Sequence, residues 1–299
     1  MFSNRYIFIY TTIFVVVIAA ILSATAMFLQ PFQERNIRIA KAQDILTSAG
    51  IESTRANAEE LFSRYIVDQR LVDRHGAIVN DGRNPFDVEL RDEIRKLQDL
   101  ERGRSTVEPA FPLFISEIRG QRSYIIPVIG RGLWGPLWGY VALQDDLNTI
   151  AGVVFDHAGE TPGLGSQIAD SWFHQQFIGK RIFDDNENFV SVRLMRGGTE
   201  NNPHGVDALS GGTITGDGLS ETIETSLELY VPFFRNQRRV VIEAEQRRVE
   251  ELRLQEEQRV QDSIAHVQAQ AQAEQRAREL RWRQQQQAAQ EAAATSEEN

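Results

Sequence analysis

The chain has no cysteine in its 299 residues. That excludes disulfides, thiolate-held iron–sulfur clusters, c-type haem, cysteine-linked cofactors and a lipid anchor on cysteine. Histidine is scarce. The five present are scattered, with no HExxH or paired-ligand spacing, so no metal site is expected. Positive charge is in deficit: 32 Lys and Arg stand against 42 Asp and Glu, a formal net charge of -10. Such a balance argues against general nucleic-acid binding. Charge is missing altogether from Tyr6 to Leu29, and glycine and proline are missing after Pro232.

The first gap reads as a membrane anchor. A helix of that length spans roughly 30 Å of hydrocarbon. Tyr6 and Tyr10 stand at one end as interfacial aromatics do, and Pro31 with the polar run after it ends the span. Ala24-Thr25-Ala26 offers a small-residue cleavage site, the mark of a signal peptide. The apolar run is too long for a signal h-region, however, and the basic n-region is only Arg5 and the amino terminus, so a retained anchor is favoured. Arg35, Arg38 and Lys41 follow the span, and the positive-inside rule alone places the rest of the chain in the cytoplasm.

Beyond the anchor, residues 34–50 predict a helical stalk, with Ile37, Ala40 and Ile45 among charges. Residues 54–66 predict a second helix with Ala56, Leu61 and Ile66 on one side, and Glu89 to Leu100 a third. The period then changes. Phe111–Ile118, Gln121–Ile129, Leu137–Leu143 and Ile150–Phe155 are short β-branched and aromatic runs between turn residues, which is strand spacing. Ser166–Ile178 returns to helix and Phe189–Met195 to strand, and Leu219, Ile223 and Leu227 mark a later helix. With no regular βαβ alternation, the class is α+β with a mixed or antiparallel sheet. Gly130-Arg131-Gly132-Leu133-Trp134-Gly135 satisfies G-x-G-x-x-G. Pro136 and a strand pattern follow it where a dinucleotide site needs a helix, so it reads as a hairpin turn.

Two glycine-rich segments carry chemistry. Ser210-Gly211-Gly212-Thr213 lies within Gly205 to Thr215 and runs into the last helix. A glycine turn entering a helix gathers free N–H groups at the positive end of a dipole, which suits a phosphate. The plain alternative is a turn before a helix. Upstream lies Gly159-Glu160-Thr161-Pro162-Gly163-Leu164-Gly165.

The second run matches the G-E-T-P-G-L-G of the C subunit of the Na+-translocating NADH:quinone oxidoreductase. The first resembles the S/T-G-A-T signature on which a flavin transferase esterifies FMN to threonine. With the N-terminal span, all three features occur in the family's order, and the resemblance covers about residues 1–236. The chain departs from the pattern at Gly212, where the family usually has Ala, and at Ala208, where it often has Gly. Losing one methyl at 212 keeps the site small and loosens its backbone.

The resemblance implies an FMN-binding domain whose FMN is a covalent phosphoester on Thr213. Gly211, Gly212 and the amides that open the helix would solvate the phosphate, and Ser210 and Thr215 would add hydroxyl donors. Asp207 belongs to the attachment motif, read by the transferase or else an ordinary Asx-turn. The 160s loop would cover the ring: Gly163 and Gly165 permit close approach, Leu164 offers an apolar face, and Glu160 and Thr161 bond to polar edges. Trp134 or Trp138 would pack nearby, and Arg196 would balance charge. The implied role is a one-electron relay in the sodium pump, with neither NADH nor quinone bound here and no catalytic residue of its own. The implied partners are the other subunits, an FMN transferase and the bacterial inner membrane. The resemblance puts the soluble part on the periplasmic side, against the charge rule. The G subunit of the ion-motive ferredoxin:NAD oxidoreductase (Rnf) complex, also anchored and flavinylated, is the alternative, and a non-redox envelope scaffold is the third reading.

The expected organisation is an anchor at 1–33, a helical stalk and first part of the soluble domain at 34–110, the FMN-binding domain at 111–236, and a Gln-rich charged tail at 237–299. The tail predicts a long solvated helix in which Val260, Ile264, Val267 and Ala271 form one heptad-like stripe. That stripe is too short for a coiled coil.

Overall fold

Ser3 starts the first helix by accepting the Tyr6 N–H on its hydroxyl. In the computed structural model, which describes residues 3–297, α1 (Asn4–Ser48) then runs unbroken past Pro31. Proline supplies no N–H to the preceding turn, but a helix this long tolerates one missing bond. Among the described residues, α1 is the one helix long and apolar enough to cross a membrane. Its side chains up to Arg38 are exposed, whereas Ile39, Ala42, Ile45 and Leu46 are buried.

The second helix is shorter than the spacing predicts. Asn57 Oδ1 accepts the Thr54 N–H at 2.6 Å and the Thr54 hydroxyl at 3.0 Å, which makes a turn of residues 54–57. Helix α2 (Ala58–Tyr65) follows, with Ala58 and Phe62 facing the core; Ala56 is exposed, and Ile66 already opens a strand. That strand, β1 (Ile66–Val72), and the short β2 (Ile78–Val79) carry no clean alternation in sequence. The middle of β1 is Asp68-Gln69-Arg70, half-buried, with the Arg70 guanidinium 2.6 Å from the Asp68 carboxylate.

Helix α3 (Leu90–Glu101) lies near its predicted place, as do β3 (Phe111–Ile118), β4 (Gln121–Arg131), β5 (Pro136–Gln144) and β6 (Ile150–His157). The six strands form one sheet in the order β2-β1-β3-β4-β5-β6, antiparallel throughout. The G-x-G-x-x-G run is the β4–β5 hairpin turn, closed by the Gly132 N–H on the Gly135 carbonyl at 2.8 Å.

Successive strand residues point to opposite faces. Ile125 therefore packs with Phe114, Tyr140, Ala142 and the α1 residues Ile39, Ala42 and Ile45, while Ile126 joins Val128, Leu137 and Val141 on the other face. That second face is covered by α5 (Thr213–Glu228) through Leu219, Ile223 and Leu227, all fully buried. A Cβ at Gly130 would stand 2.0 Å from the Thr222 hydroxyl of α5, so only glycine allows this approach.

Two expectations are corrected. The helix predicted over Ser166–Ile178 is a 3-10 turn (Gly165–Ala169) and the five-residue α4 (Ser171–Gln175), divided by the extended Asp170. The break lets Ile168, Phe173 and Phe177 all reach the core, with Phe155, Phe173 and Phe177 in edge-on ring contacts. The strand predicted over Phe189–Met195 is only β7 (Arg193–Met195), which pairs in parallel with β8 (Gly205–Asp207); Phe189 instead bridges to Phe183.

The chain divides into two units, Met1–Arg238 and Arg239–Asn299. Helix α6 (Val231–Glu297) begins within the first. Tyr230, Val231, Phe233 and Phe234 are buried there, and the Tyr230 hydroxyl donates to the Pro112 carbonyl at 2.8 Å. Arg238 stacks on the Phe183 ring and pairs with Glu187. In the second unit every described side chain between 247 and 286 is exposed, including Val260 and Ile264; the side chains of Val267 and Ala271 lie outside the described residues.

A chain stopped after Arg238 is expected to unfold at the same urea midpoint as the whole, within error. One stopped after Leu229 is expected not to fold. It loses Val231 and three buried rings at about 1.5–3 kcal/mol each, against a net stability of roughly 5–15 kcal/mol for a domain.

Burial, together with the Asp156 carboxylate, pushes the Asp44 carboxyl up to about 6 from its ordinary 3.8. The folded chain therefore holds a proton that the unfolded chain has lost between those values, and stability falls as pH rises through that window. Asp44→Asn is expected to remove this slope. It should raise stability at pH 7 by about 1 kcal/mol, less than the whole shift implies because water reaches the group. By pH 4 the two proteins should show the same urea midpoint.

Candidate cofactor site

Three segments meet at the amino end of α5: the β4–β5 turn, the 159–165 loop and the 207–213 turn. Gly211 has φ 72, and a Cβ on it would lie 2.7 Å from Leu164 Cδ2, so the two glycine-rich runs press directly together. The packing of Leu219, Ile223 and Leu227 on the sheet fixes where α5 begins.

Thr213 is the first residue of α5 and is exposed. The Arg196 guanidinium donates to its hydroxyl at 3.4 Å, from the residue after β7. Gly212 occupies the N-cap and supplies no side-chain cap. The first helical amides have no partner within a helix, and those of Thr213, Ile214 and Thr215 find none elsewhere among the described residues. Ser210 is exposed, and its hydroxyl has no partner among the described residues.

Thr215 departs from its expected role as a phosphate donor. It is 2 % exposed, and its hydroxyl donates to Glu160 Oε2 at 2.5 Å. Glu160 departs as well. Its other oxygen accepts the Trp134 N–H at 2.9 Å, so both oxygens are engaged inside the protein rather than offered to a ring edge. Thr161 accepts the Trp134 indole N–H at 3.2 Å, which ties the exposed Trp134 ring to the loop. Within the loop, the Gly163 N–H donates to the Ser166 hydroxyl, Leu164 is partly exposed, and Gly165 is buried.

Asp207 ends β8. Its carboxylate accepts the Thr199 hydroxyl at 2.5 Å, and its N–H donates to Gln176 Oε1. That is a bond across the 196–204 loop rather than an Asx-turn. Lys180 braces the same loop through the carbonyls of Thr199 and Asn202. Trp138 is not at this site. It neighbours the core residue Leu137 along β5, faces the opposite side of the sheet, and lines a groove with Ile37, Asp44 and Tyr140.

Several residues here carry no sequence signal. Gln176, Lys180 and Thr199 reach the Asp207 turn only through tertiary packing. Met195 and Ile214 are legible only as neighbours of Arg196 and Thr213, yet both leave apolar surface open, as Trp134 and Leu164 do. The donor set suits a phosphate ester of FMN. An exposed hydroxyl can bear the phosphorus, open amides and the helix dipole favour its charge, Arg196 stands beside it, and exposed apolar side chains can meet a planar ring.

The FMN-binding domain family matches residues 132–228, from the β4–β5 turn to the end of α5. Among curated proteins, the C subunit of the Na(+)-translocating NADH-quinone reductase of Vibrio campbellii is 32 % identical over 222 residues, covering 70 % of this chain and 84 % of the relative. The Neisseria meningitidis C subunit is 31 % identical over 210 residues, 67 % of this chain and 81 % of its own length. The crystal structure of the C subunit from Parabacteroides distasonis superposes with a TM-score of 0.62 at 35 % identity, over 69 % of this chain and 96 % of that one. The Shewanella oneidensis NqrC superposes with a TM-score of 0.56 at 30 % identity, over 67 % and 97 %. With that identity carried across most of the relatives' length, this chain belongs to the C-subunit (NqrC) family of the Na(+)-translocating NADH-quinone reductase.

Proposed function

We propose that the chain is the anchored flavoprotein subunit of a sodium-translocating NADH-quinone reductase, that Thr213 carries FMN as a phosphoester, and that the protein relays electrons. The observation that carries the reading is the contrast between two threonines. The Thr213 hydroxyl is exposed at the head of α5 beside Arg196, whereas the Thr215 hydroxyl is buried and already donated to Glu160.

FMN, when bound, supplies one- and two-electron redox chemistry. The chain's part is to hold and orient it. The amides of Thr213, Ile214 and Thr215 and the positive end of α5 favour the phosphate's charge. The Arg196 guanidinium offers a charge-assisted hydrogen bond to the same group. Ser210 has a free hydroxyl donor within the turn. Trp134 and Leu164 present apolar surface that excludes water from one side of a planar ring. Asp207, fastened to Thr199 and Gln176, fixes the turn that a flavin transferase would have to read.

In this reading α1 anchors the protein in the bacterial inner membrane with residues beyond Pro31 on the periplasmic side. The other subunits of the complex supply and remove the electrons and bind NADH and quinone. A covalent ester suits such a relay because the carrier cannot diffuse away between turnovers.

Full-length protein coexpressed with an FMN transferase should show in-gel fluorescence and the intact-mass increment of one FMN. Thr213→Val is expected to lose both by at least about twentyfold, and Thr215→Val to keep them; a Thr213→Val protein that retains the full increment sinks the assignment. A phosphatase reporter fused after residue 236 is expected to be active, since it folds only outside the cytoplasm, and an inactive fusion would place the domain on the other side.

A further inference from the structure

We infer that Glu160 is the positioning residue of this site: its buried carboxylate clasps the β4–β5 turn and the 159–165 loop onto the first turn of α5, the turn that bears the attachment threonine, and acts there as a negative charge on the flavin. Glu160 is 4 % exposed. Oε1 accepts the Trp134 N–H at 2.9 Å, Oε2 accepts the Thr215 hydroxyl at 2.5 Å, and the residue's own N–H donates to His157 Nδ1 at 3.1 Å. One side chain thus joins three segments far apart in sequence.

The surrounding backbone is shaped to admit it. A Cβ at Gly132 would stand 2.5 Å from Oε1, and a Cβ at Gly165 would stand 2.9 Å from Oε2 and 2.5 Å from the Thr215 hydroxyl. Among the described residues no cation pairs with Glu160. An ionised carboxylate without a counter-ion needs another source of stabilisation. Here two neutral donors and the positive end of α5 provide it. The same helix end would face a phosphate on Thr213, so both anions draw on one dipole.

Burial weakens screening, so a charge at Glu160 is felt several ångströms away. A negative charge near a flavin disfavours its reduction, and removing it raises the potential. Glu160 also takes the hydroxyl of Thr215, which leaves Thr213 as the exposed hydroxyl of the first turn.

The flavin half of the test rests on the Thr213 reading; the clasp half does not. Full-length protein made without the transferase is compared by hydrogen exchange as wild type, Glu160→Ala, Glu160→Gln and the surface control Glu221→Gln. Glu160→Ala should speed exchange about tenfold or more at the bonded amides of residues 130–136, 159–166 and 211–216 together (Gly212 and Gly216 in the last), while the middle of β4 and β5 is unchanged. Glu160→Gln, which keeps the volume and one acceptor, should show a smaller rise in the same three segments. It carries the comparison alone where Glu160→Ala does not accumulate. Acceleration confined to one segment, or none, overturns the clasp. With FMN attached, Glu160→Gln should raise the midpoint potential and Glu221→Gln should not. An unchanged potential overturns the charge. Wild-type protein that takes up no FMN would refute the Thr213 assignment and leave the exchange result standing.

Discussion

Helix α5 lies so close to β4 that a single methyl on Gly130 would strike Thr222. The rest of the site follows from that approach. Three fully buried leucine and isoleucine side chains, Leu219, Ile223 and Leu227, hold the helix against the sheet face. Its first turn is thereby delivered to the mouth of the β4–β5 hairpin, where the Trp134 turn and the 159–165 loop wait. The hydrophobic effect sets the position of the helix, and its unpaired first amides are a consequence of that position.

Polar bonding then divides the work among neighbouring residues. Hydroxyls two residues apart on a helix point in different directions, so Thr213 faces out towards Arg196 while Thr215 faces in towards Glu160. Both glycine-rich runs serve the same packing. Gly165 and Gly132 make room for a carboxylate, and Gly211 makes room for Leu164. The buried Glu160 is the kind of polar group that folding tolerates only when every acceptor is met, and here each oxygen has its donor.

Much of this is legible in the chain. The apolar run from Tyr6, the four β-branched runs and the four-residue spacing of Leu219, Ile223 and Leu227 are periodic, and periodicity survives folding because it states which face is buried. The proline after Gly135 separates a hairpin turn from a dinucleotide loop. Less regular segments hide their structure. Strand β1 has a polar middle that pairs with itself, Asp68 to Arg70, and so shows no alternation. The run Ser166–Ile178 carries helical composition, yet Asp170 is extended because burying both Ile168 and Phe173 requires a break between them.

The amino-acid sequence by itself determined the long apolar first helix, the sheet-and-helix class and the two glycine-rich runs, because each is a local property: hydropathy, period or backbone freedom within a few residues. Only the tertiary structure decided what those runs do to each other. Glu160 reads as a ligand of the ring and proves to be bonded to Trp134 and Thr215; Trp134 and Trp138 read as alternative neighbours of the ring, and Trp138 lies on the far face of the sheet. Which hydroxyl stays free and which carboxylate is spent depends on contacts between residues 26 and 55 positions apart, and no short window of sequence contains them.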